Sequence, residues 1–214
     1  MNKFSTFFYA VIASLLLTTC PALADADTPP PVILVIGDSL SSAYGINIDE
    51  GWVALLQQQL NATGHHYSVV NASVSGDTSR TGLGRTATAL DTHDPAVVIV
   101  ALGGNDGLRG LALSETETSL GGIIERSLEH PSRVLIAGVR LPPNYGAAYN
   151  EQFASVYLRL SDQYGVPLVP RMLDQVAEDR KLLQEDGIHP TTAGQPRIMK
   201  NIWTGLEPVL KNRK

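Results

Sequence analysis

Runs of consecutive apolar residues, separated by amphipathic stretches, constrain the fold of this chain more than any other feature. Residues 32–36, 96–102 and 133–139 are largely Val, Ile, Leu and Ala. Unbroken apolar runs of this length predict strands buried on both faces. Residues 67–72 and 167–169 predict two further strands. Because helical patterns separate these runs, the sequence predicts an α/β fold, a three-layer α/β/α sandwich with a mainly parallel central sheet.

The segments between the strands carry apolar residues at the spacing of one helical face. This pattern predicts helices over residues 52–60, 81–90, 147–164 and 191–210. A further helix is predicted to begin at Ser114, because Glu117 lies at capping-box spacing from it.

The first 24 residues are typical of a secretory signal peptide. Lys3 precedes an apolar run over residues 7–17, and Ala22-Leu23-Ala24 supplies a small-residue cleavage pattern. The run has about 11 residues, short of the ~20 that span a bilayer, so a retained membrane helix is the weaker alternative. A lipid anchor attached to Cys20 is a second alternative to a cleaved signal peptide. Cleavage after Ala24 predicts a periplasmic or secreted chain with a single domain over residues 25–214 and no stable membrane span.

Composition excludes several classes of function. The formal net charge is −5 and the basic residues are scattered, which offers no electrostatic footprint for nucleic acid. Cys20, the single cysteine, precludes a disulfide framework and any CxxC zinc or redox site. We expect no cofactor and no metal, and a monomer that acts on a small molecule.

Polar and glycine-rich motifs follow the predicted strands, where open α/β sheets bind ligands. They include a Ser, a Gly, an Asn, an Asp and a His in separate loops. A serine hydroxyl is a weak nucleophile until a base such as His removes its proton, and a carboxylate orients that base. The N–H of Gly76 and the amide of Asn105 could complete an oxyanion hole.

These motifs resemble the four blocks of the SGNH hydrolases, also called the GDSL esterase and lipase family. The matching segments are Gly37-Asp38-Ser39-Leu40, Gly76, Gly103-x-Asn105-Asp106 and Asp186-x-x-His189. The resemblance implies a flavodoxin-like fold. It further implies that Ser39 is the nucleophile, His189 the general base and Asp186 its orienting partner. The implied oxyanion hole comprises the Ser39 N–H, the Gly76 N–H and the Asn105 side chain.

The flanking sequences are similar to those of one bacterial subgroup, described as thioesterase I, lysophospholipase, arylesterase and protease I. The similarity implies that the substrates are lysophospholipids, aryl esters and long-chain acyl thioesters. A carbohydrate O-deacetylase of the same fold is the runner-up. An acyl groove is then expected along the loops that contain Leu108, Arg109, Leu111, Leu141, Pro142, Asn144 and Tyr145.

Two functions of other classes remain open on the sequence alone. Asp38, Asp77 and Asp106 each follow a predicted strand, as in a metal-dependent phosphoesterase, although such sites usually contain several histidines as well. These carboxylates are more typical of turn-stabilising residues. The second alternative is an inactive lipid- or glycan-binding module, which would be expected to lose at least one of the proposed catalytic residues.

Overall fold

Five parallel strands form one sheet at the centre of the molecule. A computed structural model describes residues 29–211; the predicted signal peptide, including Cys20, lies outside the described residues. The strand order is β2-β1-β3-β4-β5, and every pairing is parallel. The strands are β1 Val32–Gly37, β2 Ser68–Asn71, β3 Pro95–Ala101, β4 Arg133–Ala137 and β5 Leu168–Val169. The predicted parallel sheet is confirmed.

Helices cover both faces of the sheet. They are α1 Trp52–Ala62, α2 Ser79–His93, α3 Gly104–Leu108, α4 Leu113–Glu129, α5 Ala147–Tyr164 and α6 Gln195–Lys211. Helices α1 and α6 pack together in one layer, whereas α4 packs between α2 and α5 in the other. The three-layer α/β/α sandwich is therefore confirmed. Within residues 29–211, no helix combines the length and apolar character needed to cross a membrane.

Three helix starts differ from the sequence prediction. The capping box at Ser114 is wrong: α4 begins at Leu113 without a side-chain cap, and Glu117 instead pairs with Arg159 of α5 at 2.6 Å. Residue Thr78 forms a capping box at the start of α2. A short 3-10 turn, Thr192–Gly194, precedes α6.

The sheet is buried on both faces, as the unbroken apolar runs predict. Residues 33–36 of β1 and 97–99 of β3 have no exposed surface. The crossover after β1 runs through α1 on one face, whereas the crossover after β3 runs through α4 on the other. Neighbouring strands whose connections diverge leave a crevice at their carboxyl ends, and ligands bind there in open α/β sheets. The residues that follow β1 and β3 therefore lie at this crevice.

Candidate active site

A tight turn after β1 positions Ser39 at the crevice. The carbonyl of Asp38 accepts hydrogen bonds from the N–H groups of Ser41 and Ser42, at 3.1 and 3.0 Å. The Asp38 carboxylate accepts a third, from the N–H of Leu40, at 3.0 Å. Trp52, at the start of α1, donates its indole N–H to the carbonyl of Leu40 at 3.1 Å. These bonds fix the backbone on both sides of Ser39.

Ser39, His189 and Asp186 form one hydrogen-bonded chain. Ser39 Oγ lies 2.8 Å from His189 Nε2, and His189 Nδ1 lies 2.6 Å from Asp186 Oδ2. The other carboxylate oxygen, Oδ1, accepts the backbone N–H groups of Ile188 and His189 at 2.9 and 3.0 Å. Side chains from opposite ends of the sequence thus meet at the carboxyl edge of the sheet, at hydrogen-bonding distance.

The electrostatics of Asp186 fix the tautomer of His189. Desolvation alone would raise the Asp186 pKa, but the hydrogen bonds from the His189 ring and from the two backbone N–H groups outweigh it and lower this pKa to about 2. An ionised carboxylate can only accept a hydrogen bond, so Nδ1 of His189 carries a proton and donates it. When the ring is neutral, Nε2 has a free lone pair directed toward the Ser39 hydroxyl.

Gln184 and Tyr44 hold the histidine loop against the loop that follows Ser39. The amide of Gln184 donates to the carbonyl of Tyr44 at 2.8 Å and to that of Pro190 at 3.0 Å. The Tyr44 ring contacts the His189 ring, with centroids 4.5 Å apart and an interplanar angle of 41°. No motif in the sequence indicated either contact, because neither residue belongs to a patterned segment.

Asn105 lies in the first turn of α3, four residues after the end of β3. Its Nδ2 donates to the carbonyl of Asp77 at 2.9 Å and approaches Asp38 Oδ2 at 3.4 Å. Gly103, just before it, has a φ of +108°, and an added Cβ would lie 2.5 Å from the hydroxyl of Tyr157. Only glycine satisfies both constraints, so Gly103 allows the chain to turn sharply from β3 into the segment that contains Asn105.

Gly76 lies in the loop after β2, beside the Asn105 contact. Its φ of +86° strains any other residue, although an added Cβ would meet only Arg109 Nη2, at 3.9 Å. The Arg109 guanidinium donates to the carbonyl of Gly76 at 3.0 Å. The backbone conformation, rather than lack of space, therefore requires glycine here.

The three aspartates that follow strands make hydrogen bonds or ion pairs that stabilise the fold. Asp106 accepts the Ser79 N–H at 2.8 Å and the Ser79 hydroxyl at 2.5 Å, which joins α3 to the start of α2. Asp77 pairs with Arg85 at 2.7 Å. Burial of Asp38 raises the pKa of its carboxyl to about 6. Among residues 29–211, no group of three or more His, Cys, Asp or Glu side chains is arranged to hold a metal ion.

A cavity of about 780 Å³ opens beside Ser39 and His189. Of the sequence-predicted groove residues, Leu108, Leu141 and Pro142 line it. The remaining four lie outside its lining. Arg109 binds Gly76, Leu111 and Asn144 are exposed, and the hydroxyl of Tyr145 donates to the carbonyl of Leu108 at 3.0 Å.

Sequence reasoning missed other residues that line the cavity. Leu173 and Leu183 belong to the irregular segment between β5 and α6, together with Ile188 of the histidine loop. This segment has neither helical nor strand periodicity. The one available signal was its position just before Asp186 and His189 in the sequence.

Comparison with known proteins decides the family. Residues 35–197 match the model of the GDSL-like lipase/acylhydrolase family. The chain belongs to this family. It is 44% identical over 199 residues to esterase TesA of Pseudomonas aeruginosa, a match that covers 92% of this chain and 99% of that one. It is 40% identical over 198 residues to thioesterase 1/protease 1/lysophospholipase L1 of Escherichia coli K12, covering 92% and 91%.

The solved structures agree with the family membership. A crystal structure of TesA superposes with a TM-score of 0.82 at 45% identity, covering 83% of this chain and 99% of that one. The resemblance to SGNH hydrolases is thus confirmed. As a GDSL-family hydrolase, the protein is an enzyme that acts on acyl esters.

Proposed function

We propose that the protein hydrolyses acyl esters and thioesters with Ser39 as nucleophile, His189 as general base and Asp186 as its orienting carboxylate. One observation carries this proposal. Ser39 Oγ lies 2.8 Å from His189 Nε2, His189 Nδ1 lies 2.6 Å from Asp186 Oδ2, and both Ser39 and His189 line the cavity. A nucleophile and base within hydrogen-bond reach, with a third group orienting the base, have the geometry of an activated serine.

In the first half of the reaction, Ser39 Oγ attacks the acyl carbonyl as His189 Nε2 takes the hydroxyl proton. The Asp186 carboxylate stabilises the imidazolium that forms. The tetrahedral intermediate collapses when His189 donates the proton to the leaving alcohol or thiol, which leaves an acyl-Ser39 ester. Water then attacks this ester, with His189 again accepting and returning the proton, and the carboxylic acid departs.

The negative oxygen of the tetrahedral intermediate requires preorganised donors. We assign this role to the backbone N–H groups of Ser39 and Gly76 and to Nδ2 of Asn105. Among the residues that the structure describes, no acceptor pairs with the Ser39 or Gly76 N–H. Asn105 Nδ2 makes only a long contact of 3.4 Å with Asp38 besides its bond to Asp77. These donors are therefore available to the oxyanion at little cost.

The cavity supports substrates with a sizeable acyl group. Its volume of about 780 Å³ is within the ~300–1,000 Å³ range of small-molecule sites. The aliphatic side chains in its lining suit an acyl chain, and they include Leu108, Leu141, Leu173, Leu183 and Ile188. We therefore propose lysophospholipids, aryl esters and long-chain acyl thioesters as substrates.

We also propose that the signal peptide is cleaved after Ala24 and that the mature enzyme is a periplasmic or secreted monomer. Acyl-CoA is scarce outside the cytoplasm, so lysophospholipid or an exogenous ester becomes the favoured physiological substrate. N-terminal sequencing and light scattering of the exported protein test this proposal. An N-terminus other than Asp25, or a larger particle, would contradict it.

Substrate profiling tests the proposed function. Acetyl, octanoyl and palmitoyl esters are compared with lysophosphatidylcholine and an O-acetylated sugar, with Ser39→Ala as the inactive control. We expect octanoyl and palmitoyl esters to exceed acetyl esters in kcat/KM. A strong preference for acetylated sugar would instead indicate an O-deacetylase. Loss of activity on exhaustive EDTA treatment would indicate a metal-dependent enzyme and contradict the serine mechanism.

A further inference from the structure

Arg85 lies in α2 and does not line the cavity. Its guanidinium donates from all three nitrogens. Nε binds the Asp77 carboxylate at 2.7 Å, Nη2 binds the carbonyl of Gly37 at 3.1 Å, and Nη1 binds the carbonyl of Ala72. Three quarters of the side chain is buried. One side chain thus joins the ends of β1 and β2 to the loop after β2.

The groups held by Arg85 are adjacent to the proposed oxyanion hole in sequence. Gly37 is two residues before Ser39, and Asp77 directly follows Gly76. The carbonyl of Asp77 is also the acceptor that orients Asn105 Nδ2, at 2.9 Å. A displacement of Asp77 would therefore move the Gly76 N–H and rotate the Asn105 amide together.

We propose that Arg85 is a positioning residue for the oxyanion hole, acting through Asp77, Gly76 and Asn105. This inference rests on the proposed function. Arg85 touches no reacting atom; it fixes the distance between the end of β1, where the nucleophile lies, and the loop that supplies the other donors. The planar guanidinium is suited to this task because its donors have a fixed fork geometry that a lysine ammonium lacks.

The test is Arg85→Lys, which keeps the positive charge and removes the fork. We expect kcat to fall about tenfold, less than the ~10²–10³-fold loss caused by removing an oxyanion donor, because the donors are displaced rather than deleted. KM should change less than threefold, because Arg85 lies outside the cavity. A KM increase with unchanged kcat would overturn the proposal, and so would wild-type kinetics.

The same substitution made in the Asn105→Ala enzyme distinguishes a positioning role of Arg85 from general destabilisation of the protein. In Asn105→Ala enzyme, one of the groups through which Arg85 acts is already absent, so Arg85→Lys should lower kcat no more than about threefold, since residues in one network are not additive. An equal fold-loss in both backgrounds would contradict the proposal.

Arg126→Lys is the matched control. Arg126 is exposed and donates one hydrogen bond to the carbonyl of Leu83 in α2, at 3.1 Å. This bond involves neither the proposed oxyanion donors nor the groups that Arg85 holds. We expect its kcat to stay within twofold of wild type. A loss matching that of Arg85→Lys would show that any arginine bound to α2 has this effect, and would overturn the proposal.

Asp77→Asn keeps the inference testable if Arg85→Lys does not fold. It retains the backbone carbonyl that holds Asn105 but removes the ion pair with Arg85, so kcat should fall at least threefold; unchanged kcat would overturn the proposal. Active Ser39→Ala enzyme would refute the proposed function itself. Inactive Ser39→Ala with fully active Arg85→Lys and Asp77→Asn would refute only the role of Arg85.

Discussion

The unfolding free energy of Asp38→Asn, measured relative to that of wild type, should increase as the pH rises from acidic to neutral. Asp38 is 2% exposed, and its burial raises the carboxyl pKa from 3.8 to about 6. Between these two pKa values, the folded protein therefore retains a proton on Asp38 that the unfolded chain has already released. Stability that is present below pH 4 is lost as pH rises through about 6. Asparagine has nearly the same shape, carries no charge and can still accept the Leu40 N–H.

The size of the effect follows from the pKa difference. A change from 3.8 to about 6 is about 2 pH units, and each unit corresponds to ~1.4 kcal/mol, which gives about 3 kcal/mol. The difference in unfolding free energy, Asp38→Asn minus wild type, should therefore increase by about 3 kcal/mol between pH 3 and pH 8. Most of the increase should fall between pH 4 and pH 6.

Urea unfolding, followed by tryptophan fluorescence over this pH range, measures both proteins. Groups common to the two proteins cancel in the difference, so the pH dependence reports the carboxyl of Asp38. A difference that stays flat with pH would refute the reasoning, because the buried carboxyl would then cost nothing when it ionises. A difference that falls with pH would show that Asp38 is stabilised as the anion.

Three further substitutions test the site. Asn105→Ala should fold normally but lose about 10²–10³-fold in kcat, because one oxyanion donor is removed; steady-state kinetics checks this. Asp186→Asn should lower kcat on the order of 10³–10⁴-fold, because an amide no longer fixes the His189 tautomer, and a loss below tenfold would contradict that role. Gly103→Ala should destabilise the fold by about 3 kcal/mol, from backbone strain and the clash with Tyr157. Gly84→Ala is its control in thermal unfolding, because an added Cβ there meets nothing within 4 Å; it should be neutral or stabilising.

The strands were predictable from the sequence because burial on both faces leaves an unbroken apolar signal. The runs at 32–36 and 133–139 correspond to β1 and β4, whose central residues are fully buried. Helix α3 was not predicted, because three glycines, an Asn and an Asp within residues 103–107 resemble a loop. Its start depends on the left-handed Gly103 and on packing against Tyr157, neither of which leaves a periodic pattern.

The motif residues of the site were predictable, whereas their supports were not. Ser39, Asn105 and His189 stand in short motifs that follow strands or precede the last helix. Arg85 is one arginine among the residues of an ordinary helix, and no sequence pattern links it to its three acceptors, which lie 8, 13 and 48 residues before it. The contribution of Leu173 and Leu183 to the cavity was likewise not predictable, because the segment that contains them has no repeating pattern. Tertiary contacts of this kind are visible only in the folded chain.

The most direct test of the central claim is covalent labelling of the enzyme with a fluorophosphonate, followed by intact-mass and peptide mass spectrometry. Attack of the activated hydroxyl on phosphorus displaces fluoride and mimics the tetrahedral intermediate. The proposed mechanism predicts one adduct per chain, located on Ser39, with loss of esterase activity in proportion to labelling and no adduct on Ser39→Ala. An adduct on another residue, or esterase activity that survives complete labelling of Ser39, would contradict it.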